Sequence, residues 1–236
     1  MQVNPKFITF AKELLPVNPV ICDIGSRDAL EGIHLFHELG GKCLHVFEPN
    51  PAAAAICRMN LERVPGDVHF NELAVSDGSG KLPFYPVNPD LSDNKDIGFS
   101  SLFPVNPDYM RRRGHISQDE VIVTATTLDE YFTDKQQPDL LWIDVEGAEL
   151  KVFSGATNVL RNVAVIYVEV SFRPMQIGKP LFGDIHQFLK KNDFVFYGFM
   201  EVSALRGFLY RYHLWPSPPW RLNAIFYKHS GLEKAG

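Results

Sequence analysis

The chain has little of what would set it apart from ordinary globular proteins. Only three of its 236 residues are cysteines, Cys22, Cys43 and Cys57. Their odd number and irregular spacing argue against a disulfide framework and against a sequence-local metal knuckle. Two of them fall in short apolar runs, where cysteine acts as a small hydrophobe and fits a reducing, intracellular setting. No stretch of eighteen uninterrupted apolar residues is present, and Met1 to Lys6 does not open a signal peptide, so a soluble cytoplasmic protein without a membrane span is expected. Positive charge is also scarce: 23 Lys and Arg stand against 28 Asp and Glu, a net charge of -5. That balance speaks against nucleic acid as the main partner. The one dense basic run, Arg111-Arg112-Arg113, reads as a solvated loop. A G-x-S-x-G elbow is missing, which disfavours a serine hydrolase.

What is present is a strand and helix alternation. Hydrophobic residues at 45% and charged residues at 22% are ordinary for a globular protein, and the length suits one large α/β domain spanning 1–236. Within 1–18, Phe7, Phe10, Ala11 and Leu14 mark a helix expected on the sheet's edge or rim. Val20 to Ile24 and Cys43 to Phe47 read as buried strands. Leu30, Ile33 and Phe36 mark the helix between them. Asn50 caps the next helix and Pro51 opens it; Ala52, Ala55, Ile56 and Met59 form its expected buried stripe. Val68 to Val75 reads as one strand, followed by a further strand at 81–85. Residues 86–118 form a long irregular stretch expected to act as a lid. Pro-Val-Asn-Pro recurs at 16, 86 and 104 as turn punctuation. Strands follow at 121–124, 138–143, 163–170, 194–199 and 222–227, with a helix over 148–160 and an aromatic insertion over 203–221. This alternation predicts a doubly wound, mostly parallel sheet with helices on both faces.

The chemistry concentrates at strand ends. Asp23 and Gly25 close the first strand and Glu48 the second, the place where open α/β sheets bind ligands. A dinucleotide site would need G-x-G-x-x-G in the first turn, but only Gly25 is there. Asp28 and Glu31 supply an acidic cap where a phosphate would sit. The pocket therefore suits a nucleoside without phosphates and with positive charge, such as S-adenosylmethionine. Asp23 would meet its cationic part, Glu48 its ribose, and Asn50, Ala74 and Val75 its adenine; Gly25, Ser26, Arg27, Pro49 and Asp144 complete the cofactor-binding candidates. Asp144, at the end of Leu-Leu-Trp-Ile-Asp, faces both cofactor and acceptor and is the first choice of base; Glu146 is the second. Glu149 is assigned to the helix dipole. Ser100, Ser101, His115, Tyr210 and Trp215 are acceptor-site candidates. His34 and His37 lack a third ligand, and no metal is expected.

These residues resemble the FkbM-type methyltransferases. The resemblance is carried by Cys-Asp23-Ile-Gly25, Phe-Glu48-Pro-Asn-Pro51, Asn-Glu-Leu-Ala74-Val-Ser-Asp77, Ser100-Ser-Leu102, Thr127-Leu-Asp129 and Ile-Asp144-Val-Glu146-Gly-Ala-Glu149. It implies a class I, Rossmann-like fold of seven strands with an antiparallel last strand. It also implies transfer of a methyl group from S-adenosyl-L-methionine to a hydroxyl of a sugar, glycan or natural product, leaving S-adenosyl-L-homocysteine. The family usually has a second glycine and an asparagine in the first turn, where this chain has Ser26-Arg27-Asp28-Ala29. Two alternatives stand beside this reading: an NAD-type oxidoreductase, and a non-catalytic nucleoside-binding module.

Overall fold

The computed structural model describes residues 3–93, 97–200 and 219–228. Tyr210 and Trp215 lie outside the described residues, as does most of the aromatic insertion. Seven strands form the main sheet: β1 (Val20–Ile24), β2 (Cys43–Phe47), β3 (Asp67–Asn71), then, after three further strands below, β7 (Leu140–Ile143), β8 (Val165–Ser171), β9 (Val195–Met200) and β10 (Arg221–Tyr227). Their order is β3-β2-β1-β7-β8-β10-β9. Neighbours run parallel except β10, which is antiparallel to both β8 and β9. Strand order reverses beside β1, which opens a crevice at the carboxyl ends of β1 and β7.

Strand alternation divides the core into two halves. Ile21, Leu44, Val46, Trp142 and Tyr167 pack under the helices α1 (Pro5–Leu14), α2 (Leu30–Glu38) and α3 (Pro51–Leu61). Cys22, Ile24, Phe47, Ile143 and Val168 face the opposite layer, formed by α5 (Leu128–Tyr131), α6 (Glu149–Ser154) and α7 (Phe182–Lys191). The first helix covers the middle of the sheet and not its rim. Phe7 meets Trp142 and Tyr167 edge-on, at ring-centroid distances of 5.4 and 5.1 Å. That face holds the apolar surface of two central strands, which a rim position would leave wet.

Two expected helix faces are rotated. In α3 the core takes Ala53, Ala54, Cys57 and Leu61, while Ile56 and Met59 are exposed. Four alanines in a row give no contrast for reading the stripe, and the small Ala53 and Ala54 permit close approach to the sheet. In α2 the buried residues are Gly32, Leu35 and Phe36, and Leu30 is outside. The expected strand over 68–75 is two strands. β3 ends at Asn71, and β4 (Ala74–Val75) joins β5 (Gly80–Phe84) and β6 (Val121–Thr126) in a separate three-stranded sheet. The break falls where β2 stops offering partners, with Glu48 N–H closing on Asn71 O at 3.1 Å. The helix expected over 148–160 likewise stops at Ser154 and resumes as a 3-10 turn over Val159–Arg161.

Asn-Pro pairs punctuate the chain for one reason: asparagine accepts a helix amide and proline fixes the first helical φ. Asn4, Asn50 and Asn106 accept from Lys6, Ala52 and Asp108 N–H at 3.0, 3.2 and 2.8 Å. Asn106 starts α4 (Pro107–Arg113), whose last turn carries Arg111 to Arg113, so the basic run is an exposed helix end and not a loop. The 86–118 stretch has a small core of its own, Val87, Phe99 and Val105 with Met175.

Candidate active site

Three strand ends are tied together at one point. Gly25 and Ser26 N–H both donate to Phe47 O, at 2.9 and 3.2 Å, and Asp144 N–H donates to Ile24 O at 2.9 Å. Gly25 has a φ of +81°, and a Cβ there would stand 2.0 Å from the Asp144 carbonyl oxygen. Only glycine lets β1 and β7 end this close. The turn then passes through Arg27 and Ala29, both left-handed at φ 54° and 63°. These are positions where glycine costs nothing and an L-residue costs about 1–2 kcal/mol. The strain is held by Glu48, whose Oε2 accepts Arg27 N–H at 2.9 Å while Oε1 accepts Asn50 N–H at 2.8 Å. Asp28 Oδ1 takes Leu30 N–H at 3.1 Å.

Asp23 sits one layer deeper than the sequence suggests. Its position on β1 points it to the α2 side, where Gly32 makes room: a Cβ on Gly32 would lie 2.5 Å from Asp23 Oδ2. The carboxyl accepts the Ser26 hydroxyl and lines neither of the two clefts described below. Burial first of all pushes it up to about 7, with the Ser26 hydrogen bond opposing. Asp23 therefore supports the turn from beneath and does not face the cavity.

Two clefts open above this point. The narrower spans about 560 Å³ including the solvent at its mouth and is walled by Phe47, Pro49, Ala74 and Val75, with Glu48 and Asn50 on its polar side. Ile97, Gly98, Ser100 and Leu102 close it from the 86–118 stretch. The wider spans about 1350 Å³ including open solvent and is polar, with Arg27, Glu31, Glu169, Arg221 and Asn223 on its walls. Ser26 lines only the wider cleft, whereas Gly25, Arg27, Asp144 and Glu146 belong to both.

Asp144 stands at this junction. Its Oδ1 is buried and has no hydrogen-bond partner among the described residues. Burial and then the neighbouring Glu146 hold its carboxyl up at about 8, against the pull of Arg221. Glu146, in a left-handed turn with Gly147 (φ 50° and 116°), is held on several sides. Its Oε1 meets Arg221 Nη1 at 2.6 Å, and Gln176 Nε2 donates to its Oε2 at 3.3 Å. Strain concentrated in such a turn is a common mark of functional sites. Glu169 Oε2 lies 3.1 Å from Arg221, and Lys179 Nζ lies 3.8 Å from Glu169 and 4.0 Å from Glu146. Carboxylate oxygens of Asp144, Glu146 and Glu169 come within 4.8 Å of one another, a spacing that could hold a metal ion. Lys179 and Arg221 already lie among them and compensate their charge.

Sequence reasoning missed Glu169 as a site residue, and Lys179, Gln176 and Arg221 altogether. Glu169 had a signal, since it is the single charge in the buried run Val165–Ser171; the other three come from loops and a strand start. Three named residues are placed elsewhere. Ser101 lines neither cleft; its hydroxyl donates to Glu146 O at 2.8 Å and steadies that turn. His115 is exposed and its backbone pairs with Asp93, away from both clefts. Glu149 is fully buried and accepts Gly147 N–H at 2.8 Å, so it braces the turn as well as sitting at the start of α6. Ser100 does reach the narrow cleft, with its hydroxyl donating to Ile97 O at 2.6 Å.

The lining of the narrow cleft has the chemistry for a nucleoside carrying positive charge and no phosphate. The turn amides that would cradle a phosphate are taken by Glu48 and Asp28, while Glu48 keeps lone pairs for a diol and the far wall is apolar. Among known folds, this strand order with such a cleft belongs to the class I, Rossmann-like methyltransferases. Sp1610 of Streptococcus pneumoniae, solved with S-adenosyl-L-methionine, shares the fold at a TM-score of 0.51 and 10% identity, over 94% of this chain and 72% of that one.

The chain belongs to the FkbM methyltransferases: the methyltransferase FkbM domain model matches residues 23–196. It is similar to 2-O-methyltransferase NoeI of Sinorhizobium fredii, 32% identical over 166 residues, 69% of this chain and 67% of that protein. Hexuronic acid methyltransferase AglP of Haloferax volcanii is 29% identical over 124 residues, 52% of this chain and 45% of AglP. The protein is thus an S-adenosylmethionine-dependent methyltransferase, which sets the nicotinamide alternative aside. Among the described residues no helix is long and apolar enough to cross a membrane.

Proposed function

We propose that this protein methylates a hydroxyl oxygen of a neutral sugar or glycan, with 1–236 acting as one catalytic domain. The observation that carries the reading is that Asp144 and Glu146 are shared walls of a narrow, largely apolar cleft and a wider polar one. S-adenosyl-L-methionine, when bound in the narrow cleft, supplies a methyl group already activated by its sulfonium. Glu48 and Asn50 would hold its ribose, and Pro49, Ala74 and Val75 its adenine. The protein's remaining work is to align an acceptor oxygen and exclude water. Asp144 would take the hydroxyl proton, its raised pKa making it a competent base near neutral pH. Glu146 is committed to Arg221 and Gln176 and would hold the wall in place.

Charge supports a neutral acceptor. The wide cleft is lined by Asp28, Glu31, Asp144, Glu146 and Glu169 against Arg27 and Arg221, and Arg221 is already paired with two of these acids. Arg27 likewise lies 3.7 Å from Asp28, so neither cation on the cleft's walls is left unpaired to meet a uronate carboxylate. NoeI is named for methyl transfer to a 2-oxygen and AglP for a hexuronic acid, and together the names support an oxygen of a sugar-type acceptor. The test is transfer of a labelled methyl group to a panel of neutral hexosides, hexuronates and RNA. Product on neutral sugars is expected; product only on hexuronates or RNA would overturn the proposal.

A further inference from the structure

A second cluster of ligand-type side chains lies on the α5–α7 face of the sheet, at its open edge. Cys43 and His45 are two apart on β2, so both point to the same face. The parallel register places Asp67 beside Cys43 and His69 beside His45. Edge strand β3 and its neighbour β2 thus present a thiol, two imidazoles and a carboxylate in one square. Cys43 Sγ and His45 Nε2 are 3.2 Å apart. One ligand atom from each of Cys43, His45 and His69 falls within a single 4.8 Å group. The two imidazoles are stacked, with centroids 4.8 Å apart and planes 12° from parallel.

The surroundings match those of a metal centre. His45 Nδ1 is 3.0 Å from the Tyr131 hydroxyl; a proton on Nδ1 donated there leaves the Nε2 lone pair facing Cys43. His69 Nε2 lies 2.9 Å from Asp67 Oδ1, the carboxylate–histidine pairing that orients metal-bound imidazoles. Tetrahedral zinc with bonds of about 2.3 Å to sulfur and 2.05 Å to nitrogen sets its ligand atoms roughly 3.4–3.6 Å apart. The Cys43–His45 pair is already near that separation, and the exposed His69 can rotate to close the remainder. Cys43 lies five residues before Glu48, roughly 16 Å along the strand direction, so this cluster is separate from the methyl-transfer site.

We propose that Cys43, His45 and His69 bind one zinc ion, with a water as fourth ligand and Asp67 orienting His69, and that the ion pins edge strand β3 to β2. On binding, the Cys43 S–H bond breaks, a zinc–thiolate bond forms and the proton leaves to solvent.

The test uses the full chain, titrated with Zn2+ by calorimetry and with Co2+ by absorption. One equivalent should bind, Co2+ should give a thiolate-to-metal charge-transfer band, and zinc should raise the melting temperature reversibly with chelator. H69A, altered at an exposed side chain, should lose zinc affinity at least tenfold. Y131F should weaken it about ten- to a hundredfold, the range for outer partners of a metal ligand. H37A, on an exposed helix surface, should bind as the parent does. No band with the parent chain, or equal zinc affinity in H69A and the parent, would overturn the proposal.

Discussion

Replacing Glu48 by glutamine tests how the cofactor turn is held. Each carboxylate oxygen accepts one backbone amide, Arg27 N–H at 2.9 Å and Asn50 N–H at 2.8 Å. Glutamine keeps one acceptor and turns an NH2 group toward the other amide, so one charge-assisted bond is lost and a donor faces a donor. Such a bond contributes about 1.5–3 kcal/mol. Taking about 2 kcal/mol, affinity for S-adenosylhomocysteine should fall roughly 30-fold. Stability should fall less, because burial raises the Glu48 pKa against the two amide bonds, and a neutral side chain recovers part of that desolvation. A melting-temperature loss of about 2–4 °C, near 1 kcal/mol, is expected. Calorimetry with S-adenosylhomocysteine and thermal melts of the free protein give both numbers. An E48Q affinity within twofold of the parent would refute the idea that Glu48 holds the turn in its binding shape.

Other substitutions probe the same rim. Asp23 is held up at about 7 by burial, so its favourable contribution to folding is present below its ordinary pKa of 3.8 and is lost as pH rises through 7. D23N should therefore melt higher than the parent at pH 8, with the gap narrowing toward pH 4; a gap independent of pH would contradict this. G25A should be among the most damaging single changes, at about 4 kcal/mol or more, since it combines a positive φ with a 2.0 Å approach to Asp144 O. An unchanged denaturant midpoint for G25A would show that the two strand ends are not packed as described.

The position of the candidate site was legible because strand ends advertise themselves: an apolar run stopping at Asp23, Glu48 or Asp144 marks the carboxyl edge of the sheet, where open α/β folds take ligands. The depth of each acid was not legible. Whether Asp23 faces the cleft or the helix depends on pleat parity and on Gly32, a residue that reads as an unremarkable helix glycine. Arg221 and Lys179 escaped because they come from loops and a strand start, where no periodicity ties them to Glu146. The α3 stripe failed where four consecutive alanines erase contrast. The Cys43–His45–His69 cluster was invisible as a spacing because its members are joined by strand pairing, which only register reveals.

Asp144 taking the acceptor's proton at the junction of the two clefts is the central step of the proposed reaction. The most direct measurement is the pH–rate profile of D144N beside its affinity for S-adenosylhomocysteine. The parent's rate should rise with pH through about 8 as Asp144 ionises. D144N should lose about a hundredfold or more in kcat, show no such rise, and bind S-adenosylhomocysteine within about threefold of the parent. Equal losses in binding and turnover, or an unchanged pH profile, would contradict the account.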